Sequence, residues 1–530
     1  MMFRILLAWT LLAASALAQE PHVKYDATPL WAIEAALADA KTLPPDIASR
    51  SRYCWLRSGT PDELATLAFV INSSLGRIPI TVMPGASAAA VPFAGGRLVR
   101  LDFGLLATDA DRFANLAATW ERLSDVDRDF GTVLVDDQIV TVPRFKHTDG
   151  KFYTRQHRIT KTRVNPWPQW AELSAALGGT LVPVIDCREL RETALTTLDG
   201  GLYYEFRGIT RGTTLKEYLA LHGANEEQVA ALQSLEKAVV LNSGVTAKER
   251  MVSLFRGSGV RASAGGGLVA LTFDPFDEDL AASDSAVRNL LNFRGRGSEV
   301  ILELPNGYHE WTLWDQQGRL VRVVPPFLAD DHQVPEPFTN NLQPGLSCLR
   351  CHGPDDGWKG FGNDVQVIQR GGTDLFGDLS AADQQQQIVL LASLYSGDWF
   401  IPGTGPFAVG RLSYNRACFE STGRGSKEIA ALITTLHDGY AYQLLDVWAV
   451  ARELGIEGLP PSDGNPLTDE DERAACDVLR QFIGAAPVPG GVAREDATIA
   501  AVLAGIEITR RFWQTGSVIA YTRAYERGLK

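Results

Sequence analysis

Apolar side chains return every three or four residues through several stretches of the first third of the chain. Phe113, Leu116, Ala117, Trp120 and Leu123 share one helical face, so the spacing predicts a helix over 109–123. The same period predicts helices over 30–40 and 62–72. Short apolar runs at 78–82 and 97–101 read as strands. Helices and strands mixed in this way point to an α+β arrangement.

Further on, helical spacing returns over 213–222 and 226–241, and an apolar run at 266–273 reads as a strand. Val300, Leu302 and Leu304 then alternate with Glu299, Ile301 and Glu303. Pro305-Asn306-Gly307 supplies a turn into a second strand at 308–314, and Gln317-Gly318 a turn into a third at 320–324. The expected result is a short antiparallel β-meander.

Beyond it the pattern is mostly helical. Ser380-Ala381-Ala382-Asp383 reads as a capping box opening a helix towards Leu394, and Thr468-Asp469-Glu470-Asp471 as another running to Phe482. Helical spacing also covers 427–455, with a break expected at Gly439, and 497–521. A length of 530 residues suits about three domains at roughly 150 residues each. The expectation is therefore a mixed α+β N-terminal domain at 19–210, a helical segment plus β-meander at 211–340, and a mostly α-helical region at 341–530.

The start of the chain reads as an export signal. Arg4 precedes an apolar stretch at 5–17, and Ala16-Leu17-Ala18 places small residues where a signal peptidase reads, so residues 1–18 are expected to be removed. A membrane anchor needs about 20 consecutive apolar residues, and Gln19-Glu20-Pro21-His22 follows too soon. The mature chain is expected in the periplasm or outside the cell, with no transmembrane segment.

Export changes how the cysteines are read, because that compartment is oxidising. Cys54, Cys187, Cys418 and Cys476 allow three pairings as two disulfides, or stand as buried thiols. The other two belong to Ser347-Cys348-Leu349-Arg350-Cys351-His352-Gly353. Cys-x-x-Cys-His is the attachment pattern of c-type haem. Two thiols reach two vinyl groups on one porphyrin edge, and the following His is held under the iron as an axial ligand. Cys348 and Cys351 are thus the candidate cofactor-binding residues for one covalent haem c, and His352 the candidate metal ligand. A redox dithiol and a structural zinc site are the rival readings.

The motif resembles that of c-type cytochromes. A longer stretch, with Glu-Val-Ile-Leu-Glu-Leu-Pro-Asn-Gly at 299–307, Asp-Gln-Gln-Gly-Arg at 315–319 and Gly-Leu-Ser at 345–347, is similar to large exported bacterial proteins with a single c-type haem motif. In them a Leu-Pro-Asn-Gly hairpin precedes Ser-Cys-x-x-Cys-His. The resemblance implies haem and export and no particular reaction.

A second axial ligand separates electron shuttling from ligand binding. The methionines are Met1, Met2, Met83 and Met251, none beyond His352, so the Met ligand of small cytochromes c has no counterpart. His437 is the one histidine after the motif. His309 and His332, then His222, His157, His147 and Met251, are the candidates before it; His309 shares a strand face with Trp311 and Leu313. The leading expectation is an electron-transfer protein with a periplasmic redox partner. The alternative is a peroxidase-like enzyme or a gas or ligand sensor with an open iron position.

Net charge is -13, which argues against nucleic acid as a partner. Against that average, Arg144, Lys146, Lys151, Arg155, Arg158, Lys161 and Arg163 crowd together, readable as a patch that docks an acidic redox partner or pairs with haem propionates, or as a solvated loop and strand. Asp274-Pro275-Phe276-Asp277-Glu278-Asp279 lacks the spacing of a calcium loop. Trp358 is a candidate packing group beside the haem.

Overall fold

The computed structural model describes residues 28–75, 80–83, 85, 88–107, 109–124, 139–146, 152–158, 168–179, 182–197, 201–210, 212–223, 236–241, 249–256, 268–274, 285–289, 293, 297–322, 344–354, 364–370, 373–394, 405–441, 444–445, 447–454, 456, 469–483, 493–504, 508–516 and 520. The fold is α+β. None of the described helices is long and apolar enough to cross a membrane.

β1 (Ser51–Trp55), β2 (Ala90–Phe93) and β3 (Leu98–Asp102) come first, then a hairpin of β4 (Ile139–Lys146) and β5 (Phe152–Arg158), then β6 (Val184–Asp186). The first sheet runs β2-β3-β1-β6, with β1 antiparallel to β3 and parallel to β6. Strand alternation divides its side chains between two cores. Tyr53, Trp55 and Val184 pack with Ala32, Ile33 and Trp170 on one side; Cys54 and Ile185 face the main core on the other.

The helix Pro61–Ser74 starts where Thr60 and Glu63 cap it reciprocally and Pro61 takes the first helical position. Near its end, buried Asn72 settles the fate of the next segment. Its Nδ2 donates to the Ile80 carbonyl at 2.8 Å and its Oδ1 accepts from the Ile80 N–H at 3.0 Å. Those backbone groups are thereby satisfied without a neighbouring strand, and 80–82 is not the strand expected there.

β7 (Glu236–Val240), β8 (Arg250–Arg256), β9 (Leu268–Asp274), β10 (Gly297–Glu303), β11 (His309–Asp315) and β12 (Leu320–Val321) pair in sequence as one six-stranded antiparallel sheet. The expected three-stranded meander is its last half. Within 226–241 a helix was expected, but 236–240 is strand: the β-branched end Val239-Val240 pairs with Met251 and Arg250. Long-range pairing overrides the local helical period there.

The Leu-Pro-Asn-Gly hairpin between β10 and β11 is buried. Asn306 Nδ2 donates to the Asn72 carbonyl at 2.8 Å, and its Oδ1 accepts from Tyr308 N–H at 3.1 Å. Gly307 has φ 81°, and a Cβ there would lie 2.9 Å from that of Ala417 on the helix Pro406–Thr422. The turn is thus clamped between two helices, which fixes the position of β11.

Ser380 caps the helix Ala381–Leu394 as expected, its Oγ accepting from Asp383 N–H at 3.2 Å. The helix Ser426–Ala441 runs through Gly439, where a break was expected; an added Cβ would meet nothing nearer than Glu192 Oε1 at 3.8 Å. The chain instead pairs β13 (Leu444–Leu445) with β14 (Ile508–Thr509). That pairing divides the helix expected at 497–521 into Ala493–Leu503 and Arg510–Gly516. The main core draws on residues from Cys54 to Tyr440, and a smaller one gathers Leu445 to Ala520.

One cation lies inside the six-stranded sheet. Lys237 is fully buried, opposite Ser253, and its Nζ donates to Ser253 Oγ at 3.0 Å. Burial pushes its pKa from 10.5 down to about 8. Between those values the unfolded chain binds the extra proton, so stability rises as pH climbs from about 8 towards 10.5. Lys237→Met is expected to raise the free energy of unfolding at neutral pH by about 2 kcal/mol. Urea titrations across that alkaline range should show the pH-dependent gain in the parent and a flatter profile in the variant.

Candidate functional site

The Cys-x-x-Cys-His segment folds as one short helix, Leu346–His352. Gly345 precedes it with φ 81°, and a Cβ there would sit 2.4 Å from the Leu195 carbonyl oxygen and 2.6 Å from the Tyr203 ring. Only glycine lets the helix start rest directly on the end of the helix Cys187–Leu195 and on that ring. The helix stops at Gly353, extended ahead of Pro354, which disfavours a helical residue before it.

A second anchor comes from the helix Ser426–Ala441. Its buried His437 donates from Nε2 to the Leu346 carbonyl at 2.7 Å. A Cβ on Gly353 would meet Ile433 of the same helix at 3.2 Å. Both ends of the motif are therefore held by close approach.

The third anchor is the sheet. Cys348 is buried with its Sγ 3.9 Å from Glu299 Oε1 on β10, and Glu299 in turn pairs with Arg250 at 3.4 Å. Burial first, then the Glu299 carboxylate, push the Cys348 thiol well above its ordinary pKa, so it stays protonated. Cys351 and His352 are half-buried. Neither motif cysteine is in a disulfide.

Register places His309 on the same sheet face as Glu299. Glu303 pairs with His309, Ile301 with Trp311 and Glu299 with Leu313. The expectation that His309 points inward is borne out: it is fully buried, stacked on Tyr414 at 4.3 Å and 27°, and edge-on to Trp311 at 6.2 Å. Burial, and to a lesser degree the charge of His352, lower its pKa to about 3. His309 is a neutral imidazole across the physiological range, the form that ligates a metal.

The edge of β11 is closed by two hydroxyls. Tyr203 accepts from Trp311 N–H at 3.0 Å and donates to its carbonyl at 2.9 Å. Tyr204 accepts from Leu313 N–H at 3.2 Å and donates to the Val321 carbonyl at 2.7 Å. The ring on which Gly345 rests is thereby bonded into the sheet.

The other candidates go elsewhere. His222 lies 3.6 Å from Glu310, which alternation turns to the face opposite His309, where Tyr218 also donates to it at 2.7 Å. Met251 occupies that opposite face too, through its register with Phe273 and Ser298. His157 is on β5, as are Arg155 and Arg158, while Arg144 and Lys146 are on β4. His147, His332, Trp358, Lys151, Lys161, Arg163 and 275–279 lie outside the described residues.

The surroundings of the motif bear on its three readings. A redox dithiol needs a first cysteine of depressed pKa, and Cys348 is shifted the other way. Zinc needs four ligands, and among the described residues no group of three or more His, Cys, Asp or Glu is placed to hold a metal. Haem c needs two thiols one helical turn apart, an adjoining imidazole and an apolar surround. Cys348, Cys351 and His352 on one helix, with Leu346 and Leu349 buried and Ile433 against Gly353, fit that requirement. Sequence reasoning missed Gly345, Tyr203, Glu299 and Tyr414, and only Gly345 carried a signal, as a glycine immediately ahead of a helix.

No family model, curated protein or solved structure matches the chain.

Buried His437 has its pKa lowered from 6.5 to about 3 by burial, as has His309. Between those values the unfolded chain binds more protons, so stability is lost as pH falls from about 6.5 towards 3. His437→Ala is expected to cost about 1–3 kcal/mol at neutral pH and to reduce that acid sensitivity, read by urea unfolding at neutral and mildly acidic pH.

Proposed function

We propose that the chain is an exported c-type haem protein that exchanges single electrons with a periplasmic partner protein. The observation that carries this reading is the motif helix itself, with Cys348 and Cys351 one turn apart, Cys348 against Glu299 of β10, and buried His309 on the same sheet face as Glu299. Bound there, haem would supply a one-electron Fe(III)/Fe(II) couple.

The residues of this chain would divide the work as follows. Cys348 and Cys351 would hold the haem through their sulfurs, and His352 would ligate its iron. His309, buried and stacked on Tyr414, would be a second imidazole for the iron. His437 holds the motif helix in place through Leu346 rather than ligating. Burial of the apolar wall and the Glu299–Arg250 pair beside Cys348 are the means by which this protein would set a potential. A second buried imidazole on the Glu299 face favours electron transfer over the open-site alternative, because as a ligand it would leave no position for a substrate or gas.

Co-expression with cytochrome maturation factors is expected to give a red protein whose haem survives acid–acetone extraction, with a low-spin ferric EPR spectrum. Cys348→Ser together with Cys351→Ser should lose the covalent haem. His309→Ala should turn the ferric iron high-spin and open it to cyanide and carbon monoxide, with circular dichroism checking that the fold is kept. A colourless mature protein would overturn the haem reading. A high-spin, cyanide-binding parent protein would favour the enzyme or sensor instead.

A further inference from the structure

Four cysteines lie outside the motif, and the fold separates them. Cys418 packs beside the hydroxyls of Tyr308 and Tyr414, and Cys476 belongs to the smaller helical core. Cys54 and Cys187 meet. In the parallel pair of β1 and β6, Cys54 is in register with Ile185, and Cys187 lies two residues further on. Alternation turns all three to the main core, away from Tyr53, Trp55 and Val184. The two thiols are in hydrogen-bonding contact, and both are reduced in this structure.

Local chemistry holds the pair in place. The Cys54 thiol also donates to the Val99 carbonyl of the antiparallel neighbour at 3.9 Å. Cys187 opens the helix Cys187–Leu195, where the Asp186 side chain accepts the Arg188 N–H at 2.8 Å. The strand on one side and the capped helix start on the other hold the two cysteines beside one another.

We propose that Cys54 and Cys187 form the structural disulfide of the mature chain, an inference that rests on the export reading. Each thiol gives up its proton, the sulfurs bond, and two electrons pass to the disulfide of a thiol–disulfide exchange partner, which becomes a dithiol. Burial raises the Cys187 pKa well above its ordinary value, so exchange in the folded state is slow and the bond is set during folding. The link closes a loop from β1 to the helix on whose far end, at Leu195, the motif helix rests. It also removes two competing thiols while leaving Cys348 and Cys351 for haem.

The test is peptide mapping of the full chain expressed with its own N-terminus, alkylated with iodoacetamide at lysis and digested without reductant. A peptide joining Cys54 to Cys187 is expected, in a chain whose intact mass places its first residue at Gln19. Reduction should then lower the melting temperature by ~5 °C. A processed chain with both cysteines alkylated overturns the proposal. Should the mass instead begin at Met1, the export reading fails and a second arm decides. Urea-unfolded chain refolded with reduced and oxidised glutathione should still yield the 54–187 link. Both thiols remaining alkylatable there, or either one joined to Cys418 or Cys476, overturns it.

Discussion

Everything at the candidate site depends on how closely the backbone at Gly345 approaches the Tyr203 ring and the Leu195 carbonyl. A short helix has little stability of its own, because few hydrogen bonds repay the cost of ordering the first turn. Leu346–His352 is such a helix, so its orientation is set from outside. Glycine at positive φ admits the contact, His437 ties down the first carbonyl, and β10 receives Cys348. With three supports around about two turns, the direction of each motif side chain follows.

Those supports are themselves fixed by polar groups inside the core. Tyr203 and Tyr204 complete the edge of β11, so the sheet's unpaired N–H and C=O groups are satisfied by side chains where β12 ends early. On the opposite face, buried Glu310 accepts from Tyr218 and lies within 3.6 Å of Arg207 and His222. Removing one member would strand a charge in a low-dielectric interior, which makes such a network costly to break. Asn72 plays a related part, joining its own helix to the Ile80 backbone and, through its carbonyl, to the turn before β11.

Much of this was legible along the chain where the period was strong and local. Alternation over 299–304 and the turn at Pro305-Asn306-Gly307 located β10 and β11 and put His309 on an inward face. The capping residue Ser380 marks an observed helix start, as its pattern predicted. The local pattern failed where distant partners intervened: at 80–82, where a side-chain amide replaced a strand; at 236–240, where β8 claimed a helical pattern; and at 444–445, where β14 pairs with the chain. Of the candidate ligands, local pattern separated none cleanly, because which face of the sheet each occupies is a matter of register.

By itself the sequence determined the spacing of Cys348, Cys351 and His352 along one short helix, which is local covalent geometry. It also determined the α+β class, through periods of two and of three to four that need no partner to be read. Tertiary structure alone decided that His309, not His437, stands on the sheet face that receives the motif helix. It likewise brought Cys54 to Cys187 across more than a hundred intervening residues. Both are contacts between segments remote in sequence, fixed by strand register and core packing, and no local pattern encodes the register of one strand against another.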